Sequence, residues 1–166
     1  MACANLPYYI TSPVLTALLE AKCFETVSVM VQKEVAQRIC AAAGTPEYGA
    51  FSVFCQYYAQ PEIVFDVLPS CFIPQPKVTS AVLKLNVRKE PPCEITDEAL
   101  FFRVVRASFA QRRKTLANAL SAGFPELTKA HITELLTQCG LSPTVRGEML
   151  DIPAFAELAN RIAQEK

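Results

Sequence analysis

The chain has 166 residues, of which 51% are hydrophobic and 19% charged, and its sixteen basic and sixteen acidic side chains cancel. This composition excludes a disordered or collagen-like chain and suits one substantial domain or two small ones. Six residues of each sign occur up to Arg88 and ten of each after it, so any nucleic-acid surface has to be a local patch.

Ser12-Pro13 is a helix start, with Ser12 as the cap and Pro13 in the first turn, followed by an apolar stripe of Leu15, Leu18 and Leu19. Val27, Val29 and Val31 alternate with Ser28, Met30 and Gln32 as a buried strand. Helices are predicted over Lys33 to Ala42, ended by Gly44 and Pro46, and over Gly49 to Ala59, with Phe51, Phe54, Cys55 and Tyr58 on one face. Ile63, Phe65 and Val67 alternate as a strand, and after a loop from Pro69 to Lys77, Ala81, Leu83, Leu85 and Val87 form the last one.

Arg88-Lys89-Glu90-Pro91-Pro92-Cys93-Glu94 reads as an exposed connection. Beyond it only helical stripes remain: Thr96 caps a helix with Leu100, Phe101, Val104, Val105 and Phe109, and Leu116 with Leu120 mark a second. Ile132, Leu135 and Leu136 mark a third, and Phe155, Leu158 and Ile162 a fourth. The expected architecture is therefore an α/β region over 1–90 followed by a small all-helical domain over 91–166.

No apolar run approaches the roughly 18 residues of a membrane span, and no leader is visible, so a cytoplasmic chain without membrane contact is expected. Seven cysteines without a CxxC pair argue against zinc and for free thiols acting as small core hydrophobes. No metal site is predicted. His131, the single histidine, reads as surface structure, and so do Lys33, Glu34 and Arg38.

The sharpest local feature is Asn5-Leu6-Pro7-Tyr8-Tyr9-Ile10, just before a helix. An exocyclic adenine amine is a poor nucleophile because its lone pair is delocalised into the ring. The Asn5 side-chain oxygen and the Leu6 carbonyl suit acceptors for its two N–H bonds, Pro7 sets the turn without adding a donor, and Tyr8 offers a stacking face. The plainer alternative is a strand-ending turn with a packed tyrosine.

The longer pattern separates the two. Asn5-Leu6-Pro7-Tyr8-Tyr9-Ile10-Thr11-Ser12-Pro13, Met30-Val31-Gln32-Lys33-Glu34-Val35, Tyr48-Gly49-Ala50-Phe51-Ser52-Val53, Gln56-Tyr57-Tyr58-Ala59, Phe72-Ile73-Pro74-Gln75-Pro76-Lys77-Val78-Thr79-Ser80-Ala81-Val82 and Phe109-Ala110-Gln111-Arg112-Arg113-Lys114-Thr115-Leu116 follow one another at family spacing. From Asn5 to Asn160 the chain resembles the ribosomal RNA small-subunit adenine dimethyltransferases. These S-adenosylmethionine-dependent enzymes dimethylate the N6 amines of two adjacent adenines during ribosome biogenesis.

The resemblance implies the C-terminal half of a Rossmann-like methyltransferase sheet followed by a helical domain that recognises the RNA. It makes Asn5, Leu6, Pro7 and Tyr8 the catalytic motif, with Asn5 beside the cofactor, and Phe72 the aromatic on the other face of the base. Arg103, Arg106, Arg112, Arg113 and Lys114, with no acidic residue between Leu100 and Phe124, form a basic cluster suited to RNA phosphates. Bracing of the domain junction is the alternative for some of them, and Lys77 is either a phosphate contact or a solvated lysine. Arg146-Gly147-Glu148 matches a family segment and reads as a charged turn.

The family's main S-adenosylmethionine motif is a glycine-rich strand-to-helix turn, yet the five glycines here include no GxGxG and the catalytic motif begins at residue 5. The expectation is a fragment that alone binds S-adenosylmethionine weakly and is inert, with an exposed sheet edge that promotes self-association. Two other functions stay open. One is the related large-subunit adenine methylation that confers macrolide resistance, and the other is a non-catalytic module binding RNA or the assembling small ribosomal subunit.

Overall fold

The computed structural model describes residues 1–165. The chain divides into two units, one formed by Met1–Ala41 with Phe51–Pro91 and the other by Ala42–Ala50 with the residues from Pro92 onward.

The first unit is built on a four-stranded sheet: β1 (Ala2–Asn5), β2 (Thr26–Gln32), β3 (Ala59–Val67) and β4 (Ser80–Val87), in the spatial order β1-β2-β4-β3. β1 and β2 are parallel and are connected through α1 (Thr11–Glu20), as a parallel pair requires a crossover. β4 runs antiparallel to both β2 and β3. Val27, Val29 and Val31 pair with Leu85, Leu83 and Ala81 and are buried with them, so one sheet face is continuous aliphatic core. The opposite face carries Asn5 on β1 level with Met30 on β2, which in turn is level with Val82 on β4.

α1 begins at Thr11, and Ser12 does not cap it. A 3₁₀ turn over Tyr8–Ile10 leads into the helix, with the Ile10 N–H donating to the Pro7 carbonyl (3.1 Å) and the Thr11 hydroxyl to the Tyr8 carbonyl (3.2 Å). Helical turning therefore starts before Ser12, and Pro13 sits where a missing N–H costs nothing. Leu15 and Leu19 are buried, and Leu18 is half-buried.

α2 (Lys33–Cys40) and α3 (Ala50–Tyr58) are shorter than their apolar patterns suggested. The buried side of α3 is Ser52, Val53, Cys55, Tyr57 and Tyr58, whereas Phe51 and Phe54 are half-exposed and stack on each other at 6.0 Å. The face turns because polar side chains of α3 satisfy the carbonyls at the end of α2. The Ser52 hydroxyl donates to the Arg38 carbonyl (2.6 Å), and the Gln56 amide to the Ile39 (2.9 Å) and Ala41 (2.8 Å) carbonyls.

β3 is an edge strand whose alternation breaks in the middle. Ile63 pairs with Leu83, yet Phe65 pairs with Val82, so Val64 is an extra residue and Phe65 lies on the opposite face from Ile63. The expected common face of Ile63, Phe65 and Val67 is thus split, and Phe65 is 56% exposed.

The second unit contains α4 (Glu98–Ala110), α5 (Leu116–Gly123), α6 (Lys129–Gln138) and α7 (Ile152–Gln164). Its core includes Phe101, Phe124, Phe155, Leu116, Leu120 and Ile132, all fully buried. Asp97, not Thr96, caps α4 by accepting from the Leu100 N–H (2.9 Å), while the Thr96 N–H donates to the Asn160 side chain (2.9 Å). Thr128 and Asp151 cap α6 and α7 in the same way.

Residues 42–50, placed by the sequence within the α/β region of 1–90, belong to this helical unit. The Gly44 N–H donates to the Glu148 carbonyl (2.7 Å), and Tyr48 is buried edge-on to Phe109 with ring centroids 5.8 Å apart. Gly44 has φ +84°, a conformation open to glycine. Burial, and secondarily Asp151, pushes the Tyr48 hydroxyl up to about 12. A buried apolar ring is what attaches this segment, and its neighbours in sequence give little hint of it.

The cysteines are not uniformly core. Cys55 is buried, Cys40, Cys93 and Cys139 are half-buried, and Cys3, Cys23 and Cys71 are exposed. Burial is the main cause that raises the thiol pKa of Cys55, Cys40, Cys93 and Cys139. Iodoacetamide near neutral pH is therefore expected to label Cys3, Cys23 and Cys71 roughly tenfold or more faster than Cys55. A peptide map showing Cys55 among the first labelled positions would contradict this packing.

Among the described residues no helix is long and apolar enough to cross a membrane, and no group of three or more His, Cys, Asp or Glu is placed to hold a metal ion.

Candidate functional site

β1 ends at Asn5, and the chain leaves the sheet there with the Leu6 N–H still donating to the Met30 carbonyl at 3.3 Å. Pro7 then turns the backbone into the 3₁₀ turn before α1. The segment between β3 and β4 passes through a second 3₁₀ turn, Pro69–Cys71, and a cis Ile73–Pro74 peptide bond. These two stretches, more than sixty residues apart, face each other across a cleft of about 300 Å³ lined by Asn5, Leu6, Pro7, Tyr8, Phe72, Pro74 and Pro76. That is the small end of the range for ligand sites, roughly 300–1,000 Å³.

The lining has a definite chemical character. No charged side chain takes part, and two aromatic rings, Tyr8 and Phe72, supply flat apolar surface. Three of the seven residues are prolines, which have carbonyls but no N–H. Backbone acceptors thus outnumber donors, and the cleft suits a flat, uncharged, partly apolar group that donates hydrogen bonds. The Asn5 side chain is exposed and makes no hydrogen bond to another described residue. Tyr8 differs: its hydroxyl lies 2.8 Å from the Ser80 hydroxyl, and Ser80 is fully buried at the head of β4. Tyr9 is 86% exposed and turns away from the lining.

All five residues assigned to catalysis or base contact from sequence, Asn5, Leu6, Pro7, Tyr8 and Phe72, line this one cleft. Pro74, Pro76 and Ser80 belong to the family pattern, but the sequence assigns none of them a role, and nothing in it shows the contact of Ser80 with Tyr8.

The five residues of the basic cluster do not share one environment. Arg103 lies over the Phe124 ring at 4.0 Å, donates to the Gly123 carbonyl (2.9 Å) and pairs with Glu126 at 2.9 Å. Arg112 bonds the Pro46 carbonyl and pairs with Glu148 at 3.6 Å, so it holds residues 42–50 to the charged turn at Arg146-Gly147-Glu148. Gly147 is pressed against the Ser108 backbone, where a Cβ would meet the Ser108 carbonyl oxygen at 2.8 Å. Arg106, Arg113 and Lys114 are exposed, and their side chains make no hydrogen bond or ion pair to the described residues. Lys77 is likewise exposed. His131 pairs with Glu165 (3.1 Å) on the surface of α6.

Residues 1–163 match the family model described as ribosomal RNA adenine dimethylase. The protein named ribosomal RNA small subunit methyltransferase A in Caldanaerobacter subterraneus subsp. tengcongensis is 51% identical over 160 residues, covering 96% of this chain and 59% of that protein. The protein of the same name in Bacillus cereus is 50% identical over 170 residues, covering all of this chain and 58% of its own length. The chain thus spans about three-fifths of these relatives. Among solved structures, a dimethyladenosine transferase from Plasmodium falciparum superposes with a TM-score of 0.85 at 22% identity, over 99% of this chain and 68% of that one. The 23S rRNA methyltransferase ErmE superposes with a TM-score of 0.68 at 24% identity, over 98% and 64%. The four-stranded mixed sheet and its helices thus share the Rossmann-like fold of the matching parts of those two chains.

Proposed function

The chain belongs to the ribosomal RNA adenine dimethylase family, and from this premise we propose that its cleft receives a flipped-out adenine of small-subunit RNA for N6,N6-dimethylation. The single observation that supports the reading is the cleft itself, whose lining brings the Asn5 amide, unpaired among the described residues, and Leu6 together with the rings of Tyr8 and Phe72. Stacking between two rings offsets the loss of base stacking in the RNA, and the proline-rich lining leaves acceptors to meet the exocyclic amine.

In this mechanism the Asn5 side-chain oxygen and the Leu6 carbonyl each accept one N–H of the amine. Both bonds favour a pyramidal nitrogen, which withdraws the lone pair from the ring and aims it along the line of attack. S-adenosylmethionine, when bound, supplies the electrophilic sulfonium methyl. On receiving that methyl group, with the cofactor's sulfur leaving as a neutral thioether, the amine nitrogen would give up one proton. After the first methylation one N–H remains, so one acceptor still orients the amine for the second. Within this chain we assign only Asn5 to the cofactor side of the cleft.

Transfer-competent protein that includes this chain is incubated with ribosomal RNA and S-adenosylmethionine, and the RNA is then mapped for N6,N6-dimethyladenosine. Modification of two adjacent adenines in small-subunit RNA supports the reading. Modification confined to large-subunit RNA would reassign the substrate, and tight RNA binding without methyl transfer would point to a binding module.

Arg106, Arg113 and Lys114 are the cations we assign to phosphate, and Arg103 and Arg112 are assigned to bracing the helical unit. The R113A/K114A double variant is therefore expected to lower the salt slope of RNA binding by about 1.5 to 2. Arg103→Ala is expected to leave the slope nearly unchanged and to lower the thermal midpoint instead. Anisotropy titrations over a range of salt concentrations check both, and equal slope changes in all variants would refute the division.

A further inference from the structure

We infer that Ser80 is a positioning residue for the cleft, its hydroxyl holding the Tyr8 ring as a fixed wall for the base. The inference rests on the proposed function and assigns a part of the site that the motif does not name.

Tyr8 follows directly on Pro7, in a short 3₁₀ turn, and its hydroxyl and backbone carbonyl are tied to different neighbours. The carbonyl accepts from the Thr11 hydroxyl at 3.2 Å, and the phenol meets the Ser80 hydroxyl at 2.8 Å, across 72 positions of sequence. With the backbone and the ring tip both tied, the ring loses its freedom to swing about the two side-chain torsions. The anchor is itself rigid. Ser80 is 0% exposed, and its Cα register sets it opposite Gln32 of β2 on one side and Val67 of β3 on the other. It also shares a sheet face with Asn5, since Asn5 is level with Met30, Met30 with Val82, and Val82 lies two residues along β4 from Ser80.

This gives the tyrosine hydroxyl a purpose distinct from chemistry. A ring 36% exposed in the cleft needs no hydroxyl to stack on a base, and phenylalanine would offer the same face. What the hydroxyl adds is a second fixed point, which removes an ordering cost when the base arrives. In the absence of Ser80 the phenol turns to water, so the fold is kept and the orientation is lost.

The test uses the chain with an RNA oligonucleotide carrying 2-aminopurine in place of the target adenine, whose fluorescence falls when it stacks. Wild type is expected to quench it on binding. Ser80→Ala and Tyr8→Phe are each expected to weaken the stacked complex roughly fivefold, and the double variant no more than either. Quenching that Ser80→Ala leaves unchanged would overturn the inference alone. A further loss on adding Ser80→Ala to Tyr8→Phe would also overturn it, because Ser80 would then act through something other than the phenol. Absence of quenching by wild type would overturn the stacking reading on which the inference rests. Circular-dichroism melts accompany each variant. Were Ser80→Ala not to fold, Tyr8→Phe still decides: a stacked complex as tight as wild type refutes the anchor, and a fivefold loss supports it.

Discussion

Asn5→Ala is expected to lower methyl transfer at the target adenine roughly 10²- to 10³-fold in transfer-competent protein, with RNA affinity within about twofold of wild type. The asymmetry follows from where the residue sits. Asn5 terminates β1, its side chain is exposed in the cleft, and no described residue competes for its amide. Its proposed bond strengthens only as the amine becomes pyramidal, so its loss falls on the chemical step and not on binding. The phosphate contacts proposed for Arg106, Arg113 and Lys114 are untouched by this change, so affinity is expected to hold. Single-turnover transfer of a labelled methyl group, beside a binding titration, separates the two quantities. Transfer within threefold of wild type would remove Asn5 from the chemistry, and a parallel fall in affinity would make it a binding residue.

Phe155→Ala is expected to destabilise the helical unit by roughly 3–5 kcal/mol. Phe155 is fully buried in the first turn of α7, with the Phe109 ring 5.9 Å away, and alanine leaves a hole that rigid neighbours cannot close. That loss is a large part of the roughly 5–15 kcal/mol typical of a folded domain. Phe51→Ala, at a half-exposed ring, is expected to cost much less, near 1 kcal/mol. Urea titrations followed by circular dichroism compare the two. Equal midpoints for the two variants would mean that the burial assigned to Phe155 is wrong.

Elements with strong periodicity were legible. The Val27, Val29, Val31 and Ala81, Leu83, Leu85 alternations became the two central strands, and the stripes of α4 to α7 lie close to where the apolar spacing put them. The candidate site was legible for a different reason. Asn5 to Tyr8 are contiguous, so their chemistry could be weighed as a unit, and Phe72 followed from the resemblance. The errors have specific causes. The Phe51 and Phe54 face was misassigned because Ser52 and Gln56 are spent on α2 carbonyls, a long-range demand invisible to local spacing. Phe65 was misplaced because a bulge is a single extra residue that leaves composition unchanged. The basic cluster is a separate matter, since its assignment to RNA or to bracing was open from the sequence, and counting five charges does not show that Glu126 and Glu148 approach two of them.

By itself the sequence determined the periods of its strands and helices, the neutrality of the chain as a whole and the order of a motif that could be matched to a family. These are properties of neighbours along the chain, where spacing of three to four residues or of two decides which side chains share a face. Only the tertiary structure decided that Pro74 and Pro76 join Asn5 in one cleft, that Ser80 ties down Tyr8, and that residues 42–50 leave the sheet unit for the helical one. Such pairings join residues far apart in sequence, and they are set by what each side chain meets once the apolar faces are buried. A hydrogen bond across 72 positions has no periodicity, so nothing local encodes it.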